Sequence, residues 1–402
     1  MSLLKLLRDE KTWNEFYAYK TSLVQGGDTK ALRDFIDRRE YELVCDAIEK
    51  GEPFPLPARK EISKMSTAKK RVVYTYPQRE NTVLKLLTYL LLRKYNDIFE
   101  YSLFSFRPGK TAKEAVRTLR RRAGTDRMYS YKVDISDYFN SVPVDRLLPM
   151  LEETLGEDRE LFTFLSGLLT ENRVISKGNI ITEDRKGIMA GTPLSAFYAN
   201  LYLKDMDSYF TQKGRIYARY SDDVIIFSDS REAALQDAAA VREYLAGKGL
   251  GVNESKEVIS TPEEGWTYLG FYCGHGRTDI APATIKKLKG KMRRKAKALR
   301  RWADRNDVSG ERAAKAFIRI FNRKLLEGPH DNELTWSCWF FSVIDTTDSL
   351  KEIDHYAQEQ IRFLLSGTRT KARYNYRYED LKRLGYKNIV NAYYKYSGGE
   401  GR

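Results

Sequence analysis

The chain has 402 residues, 70 Lys and Arg against 55 Asp and Glu, a formal net charge of +15 and a pI near 9.4. With 42% hydrophobic and 12% aromatic residues it has ample material for a core, which excludes a disordered chain. Its three cysteines (Cys45, Cys273, Cys338) are too sparse for a disulfide scaffold, and its three histidines lack ligand spacing, which argues against a zinc module.

The first segment, residues 1–50, reads as helical. Its start mixes Leu with Lys5, Arg8, Asp9 and Glu10, so an amphipathic helix is expected rather than a signal peptide. Pro53-Phe54-Pro55-Leu56-Pro57 breaks the pattern and marks a boundary. Residues 71–76 alternate as a strand, and residues 82–96 form a helix. The longest apolar stretch, Val83 to Leu92, is interrupted by Lys85 and Thr88 and is too short to span a bilayer. No membrane partner and a cytoplasmic location are therefore expected. Another helix follows the Arg107-Pro108-Gly109 turn, beginning near Lys110.

Residues 129–135 read as a strand with Tyr129, Tyr131 and Val133 on one face and Lys132 and Asp134 on the other, which places Asp134 at its C-terminal end. Residues 216–227 read as two hydrophobic strands around a polar turn holding Ser221, Asp222 and Asp223. Strands and helices mix without a regular βα repeat, so the fold class is α+β. From Thr284 onward helical periodicity dominates, with a turn-rich break at Gly328-Pro329-His330-Asp331-Asn332.

Residues 286–301 hold ten Lys or Arg and no acid, two thirds of the net charge. Ile285, Leu288, Met292, Ala296, Leu299 and Trp302 recur there at helical steps, giving one apolar face and a basic remainder. A solvated face is the ordinary fate of such a run. Ten mutually repelling charges nevertheless favour contact with a phosphate backbone. Near the C-terminus Arg369, Lys371 and Arg373 interleave with Tyr374, Tyr376 and Tyr378, and Tyr393, Tyr394 and Tyr396 follow. They suit either stacking on unpaired bases or packing at a domain boundary.

Adjacent carboxylates repel, and a turn needs at most one of them. Asp222 beside Asp223 makes sense opposite a divalent cation. Two ions about 3.5–4 Å apart activate an attacking hydroxyl and stabilise a leaving phosphate oxygen. Mg²⁺ suits such a site, with Mn²⁺ as a possible substitute. Asp134 and Asp222 are candidates to ligate both ions, Asp223 completes the acidic cluster, and the Ile135 carbonyl adds an oxygen. Taken alone, an Asp-Asp pair is more often a solvated turn, so the flanking segments decide.

Those segments resemble the reverse transcriptases. Lys132-Val133-Asp134-Ile135-Ser136-Asp137-Tyr138-Phe139 is similar to the family's first catalytic motif. Gly187-Ile188-Met189-Ala190-Gly191-Thr192-Pro193-Leu194-Ser195, followed by Ala199-Asn200-Leu201-Tyr202-Leu203, is similar to the second. Tyr220-Ser221-Asp222-Asp223 resembles the Tyr-x-Asp-Asp hairpin, and Gly249-Leu250-Gly251-Val252-Asn253-Glu254-Ser255-Lys256 the segment whose lysine reaches the triphosphate. Tyr268-Leu269-Gly270-Phe271 resembles the primer grip, while Arg71 and Ser105-Phe106-Arg107-Pro108-Gly109-Lys110 resemble fingers motifs. The match spans roughly residues 53–275 and follows the family's motif order.

The resemblance implies a right-hand polymerase with fingers, an antiparallel palm sheet and a helical thumb. It divides the chain into an N-terminal helical extension (1–52), a fingers and palm core (53–280) and a basic thumb and C-terminal region (281–402). It also implies two Mg²⁺ at Asp134, Ile135, Asp222 and Asp223, and binding of a dNTP by Arg71, Phe139, Gly191 and Lys256. Phe139 lies where the family places a steric gate under the sugar; a buried core Phe is the alternative. Arg71 would hold the triphosphate and Lys256 the leaving pyrophosphate; solvated surface cations are the alternatives. Gly187 and Gly191 would let the backbone approach the substrate. Arg107 would contact the template or brace the fingers, and Lys291, Arg294 and Lys295 would follow the duplex. Ala190 departs from the Gln found in many relatives, which puts nucleotide handling in doubt.

Residues after 280 carry no recognisable ribonuclease H, Cys/His endonuclease or integrase pattern. Length, motif variant and C-terminal part (336–396) resemble retron enzymes and, most of all, the defence-associated "unknown group". An RNA-directed DNA polymerase copying a dedicated noncoding RNA into DNA in phage defence is therefore expected. The alternatives are an RNA-binding maturase or scaffold with incidental polymerase activity, and template-independent or protein-primed DNA synthesis.

Overall fold

The computed structural model describes residues 2–23, 27–63, 70–122, 124–184, 186–327 and 336–398. The turn-rich break expected at 328–332 lies outside them. Strands and helices alternate irregularly, as an α+β chain requires. The chain forms two compact units, Met1–Thr21 with Gly26–Pro262, and Ser22–Gln25 with Glu263–Arg402.

The first unit holds two four-stranded sheets. One is built from β1 (Ala58–Ser63), β2 (Lys70–Thr75), β4 (Arg173–Ser176) and β5 (Asn179–Thr182), in the order β2-β1-β4-β5. The other is built from β3 (Tyr129–Asp134), β6 (Ile216–Tyr220), β7 (Asp223–Ser228) and β8 (Val258–Ser260), in the order β6-β7-β3-β8, with every neighbouring pair antiparallel. On β3, Tyr131 and Val133 are buried as expected, but Ser130 and Asp134 of the opposite face are buried as well, so β3 is covered on both faces. Val224, Ile225, Ile226 and Phe227 of β7 are all fully buried, which explains why that strand reads as a continuous apolar run.

Residues 3–16 pack into this unit. The Leu3 amide donates to Asp158 at 3.0 Å, and Trp13 and Phe16 belong to the same core as Val83, Leu84, Leu87 and Leu91 of the helix Gln78–Lys94. Burial of that helix accounts for its apolar sequence.

The second unit opens with β9 (Trp266–Tyr268), β10 (Phe271–Gly274) and β11 (Arg277–Ile280), an antiparallel sheet in the order β11-β10-β9. This sheet groups with the helices after it, and the boundary between the two units falls at 262/263 in the sequence. The bonds that hold it there run from Asp345 N–H to the Thr278 carbonyl (3.0 Å) and from Thr278 N–H back to the Asp345 carboxylate (2.8 Å). Among the described residues no helix is long and apolar enough to cross a membrane.

Candidate active site

The β3–β7 register sets Asp134 opposite Asp223. The β6–β7 hairpin turns through Ser221 and Asp222, with Ser221 at φ +60°. The Ile135 amide donates to the Asp222 carbonyl at 3.0 Å, which fastens the hairpin to the end of β3. Asp134 thus meets the adjacent Asp222 and Asp223, distant from it in sequence, at one end of one sheet.

Their surroundings make the charges costly. Burial raises the Asp222 carboxyl above the usual range, the negative charge of Asp134 raises it further, and Lys256 and Arg71 pull it back. Asp223 is raised to about 6, first by burial and then by Asp222. Asp134 is 8% exposed; it accepts from Lys256 Nζ at 2.7 Å and from Asn253 Nδ2 at 3.3 Å. Lys256 follows Asn253 in a short turn, Glu254–Lys256, that leads into β8.

This donor set suits a hard divalent cation. Among the described residues no three His, Cys, Asp or Glu side chains already converge as a cage. Asp222 and Asp223 nevertheless carry the mutual repulsion that a cation relieves. The Ile135 carbonyl belongs to a 1% exposed residue, and no described hydrogen bond uses it. Carboxylates with a backbone oxygen are the ligands Mg²⁺ prefers.

Sequence reasoning missed what holds the hairpin from behind. Arg219 and Asp207 are both fully buried and pair at 2.7 and 2.6 Å. The remaining Arg219 N–H groups reach the carbonyls of Ala199, Asn200 and Ser221 at 3.2–3.4 Å, and Tyr217 donates its hydroxyl to Asp207 at 2.7 Å. One guanidinium therefore joins the helix Lys204–Gln212, the helix Ser195–Tyr202 and the Ser221–Asp222 turn. The signal was present: an arginine inside an apolar strand needs a buried partner.

A second tie runs through Asn140. Its Nδ2 donates to the Val72 carbonyl and its Oδ1 accepts from the Ala190 amide, both at 3.3 Å, while the Tyr74 amide donates to the Ala190 carbonyl at 2.8 Å. The loop after β3, the 187–191 segment and β2 are thereby stitched together. The glycines serve this stitching. A Cβ on Gly187 would come within 2.4 Å of the Phe139 carbonyl, and one on Gly191 (φ +98°) within 3.0 Å of the Tyr74 carbonyl. Both glycines permit a close approach within the chain itself.

Arg71 is exposed on β2, and Phe139 is half-buried on the short helix Tyr138–Ser141, its ring against Tyr138. Of the two roles open to Arg107, the geometry is that of the brace. Its guanidinium holds Asn96 Oδ1 (3.0 Å) and the carbonyls of Asn96, Glu100 and Leu103.

In the second unit the basic helix runs Pro282–Arg305, with Ile285, Met292, Ala296 and Ala303 buried. Leu288 and Leu299 are half-buried, and Trp302, assigned to the apolar face by its spacing, is exposed. Lys291, Arg294 and Lys295 are all exposed, while Lys289 pairs with Glu352 and Arg300 with Asp304. At the C-terminus Arg373 pairs with Glu359 and lies over the Tyr374 ring, and Tyr393 is buried against Phe341. Packing thus accounts for part of that aromatic cluster.

Known proteins share parts of this chain. Retron Ec86 reverse transcriptase of Escherichia coli is 23% identical over 164 residues, 40% of this chain and 47% of that one. An uncharacterized 91 kDa protein in the cob intron of Schizosaccharomyces pombe is 26% identical over 231 residues, 54% of this chain and 27% of that one. The chain spans less than half the length of either relative. A telomerase from Candida albicans, solved with a fragment of telomeric RNA, superposes with a TM-score of 0.46 at 13% identity, covering 89% of this chain and 67% of that one. The family model described as reverse transcriptase (RNA-dependent DNA polymerase) matches residues 62–273, over half of the chain, and the chain belongs to that family.

Proposed function

We propose that the chain is an RNA-directed DNA polymerase that adds dNTPs to a 3′ hydroxyl on an RNA template. The observation that carries this reading is the β3–β7 register, which sets Asp134 opposite Asp223 beside the Asp222 turn. In this reading Asp134, Asp222, Asp223 and the Ile135 carbonyl hold two Mg²⁺. Bound there, the ions lower the pKa of the attacking hydroxyl and stabilise the leaving oxygen. The chain's own residues do the positioning. Lys256, next to Asp134, and Arg71, close enough to draw down the Asp222 carboxyl, face the triphosphate as cations. The first unit acts as fingers and palm. The helix Pro282–Arg305 acts as the thumb, its exposed Lys291, Arg294 and Lys295 set along the template–product duplex.

Phe139 stands under the sugar and excludes a 2′ hydroxyl. Phe139→Ala is expected to raise ribonucleotide incorporation at least about tenfold relative to dNTPs, about 1.4 kcal/mol of discrimination. Competition assays with matched NTP and dNTP measure this, and an unchanged preference removes Phe139 from the gate.

The template is proposed to be one dedicated structured noncoding RNA, copied in the course of phage defence in the cytoplasm. Support comes from the motif variant and from the retron enzyme among the relatives. Sequencing the nucleic acid that copurifies with the chain is expected to return one dominant RNA and DNA complementary to it. A broad sample of cellular RNA without complementary DNA would contradict the dedicated template.

A further inference from the structure

Away from the aspartates, the helices Glu10–Leu23 and Gln78–Lys94 carry three cations and three aromatic rings at one place. Arg93 lies over the Tyr89 ring at 3.5 Å and the Tyr19 ring at 4.6 Å, and Lys20 lies over Phe16 at 5.3 Å and Tyr19 at 5.7 Å. The rings pack on each other, with Tyr89 5.1 Å from Tyr19 and 5.2 Å from Phe16. Burial and the nearby charges of Lys85 and Arg93 lower the Lys20 ammonium pKa. Among the described residues no carboxylate pairs with Lys20, Lys85 or Arg93. The one hydrogen bond described for Arg93 is a long 3.4 Å bond to the Tyr89 carbonyl.

Aromatic faces attract Arg93 and Lys20 but do not neutralise them. Three like charges, one of them partly desolvated, remain without a counter-charge. Core packing gives no reason to gather them, whereas a polyanion does. The arrangement also has the two parts that single-strand recognition uses: cations for the phosphates, and tyrosine and guanidinium planes for unpaired bases. Neither helix contributes a residue to the aspartate cluster.

We propose that this face binds a single-stranded stretch of RNA, separate from the template track on the thumb helix. Arg93 and Lys85 take successive phosphates, Lys20 closes one end, and the Tyr19–Tyr89 pair stacks a base. The choice of RNA as the polyanion rests on the polymerase reading; the anion-binding site itself does not.

The test uses the full chain and a labelled unstructured RNA oligonucleotide, with anisotropy followed across a salt series. Lys20→Gln, Lys85→Gln and Arg93→Gln together are expected to weaken binding about tenfold and to flatten the log–log salt slope by about two, at roughly 0.7 per phosphate contact. Lys85→Glu, on an exposed side chain, is expected to weaken binding several-fold with an unchanged thermal midpoint. Ultraviolet cross-links should map to Tyr19 or Tyr89. Unchanged affinity and slope in both variants would overturn the site. Equal losses toward inorganic polyphosphate, without base cross-links, would overturn the RNA assignment in favour of a bare anion site. Primer extension by the unsubstituted chain separates the two readings. Lost RNA affinity in a chain that extends no primer supports the site and sinks the polymerase. Intact RNA affinity in a chain that does extend overturns the site alone.

Discussion

Replacing Asp222 and Asp223 together with alanine is expected to reduce DNA synthesis by at least about a thousandfold while leaving the fold intact. Both carboxyls are raised by burial and by neighbouring negative charge. In the protein without metal they therefore oppose folding at neutral pH, and their removal relieves repulsion. The thermal midpoint of the double variant should equal or exceed that of the parent. Stability and activity then move in opposite directions, the signature of residues kept for chemistry. Primer extension and thermal unfolding on the same preparations measure both. Synthesis within about tenfold of the parent would remove these aspartates from catalysis.

The second large effect is expected at the buried Arg219–Asp207 pair. Arg219→Met leaves Asp207 as an uncompensated charge at a site with no solvent exposure and should lower stability by about 3–5 kcal/mol. Adding Asp207→Leu should restore much of that loss, because an apolar pair of similar volume often does as well as a buried ion pair. Polymerisation should not return with it. The carbonyls of Ala199, Asn200 and Ser221 still lack the donor that fixes the Ser221–Asp222 turn. Chemical denaturation and single-turnover extension of the three proteins separate the two contributions. Recovery of both stability and rate in the double variant would reduce Arg219 to a fold-stabilising residue.

The site was legible in proportion to how locally its residues are specified. Asp134 at a strand end and Asp222-Asp223 in a hairpin turn follow from alternation and turn chemistry over a few residues each, and the β3–β7 pairing then brings them together. Arg219 with Asp207 was not legible. Its partner lies on a separate helix twelve residues earlier, and only the fold makes them neighbours. Asn140 was missed for the same reason, since its partners Val72 and Ala190 lie about 50 residues or more away on both sides. Gly187 and Gly191 were recognised as positions of close approach, but what they approach depends on tertiary packing. The basic helix was legible as a helix because its apolar positions repeat at helical steps, although Trp302, which that spacing put on the apolar face, is exposed. The sheet β9–β11 groups with the helical unit through its bonds to Asp345, a partner 67 residues from Thr278 that no local pattern names. Hydrophobic pattern marks strands well but does not say which unit a short sheet joins.

The most direct test of the polymerase reading is primer extension by the purified chain on a defined RNA template, with dNTPs and Mg²⁺. The expected result is DNA complementary to that template, absent when Mg²⁺ is chelated and absent in the Asp222→Ala, Asp223→Ala protein. DNA of the same length and composition made without template, or by the double variant, would contradict it.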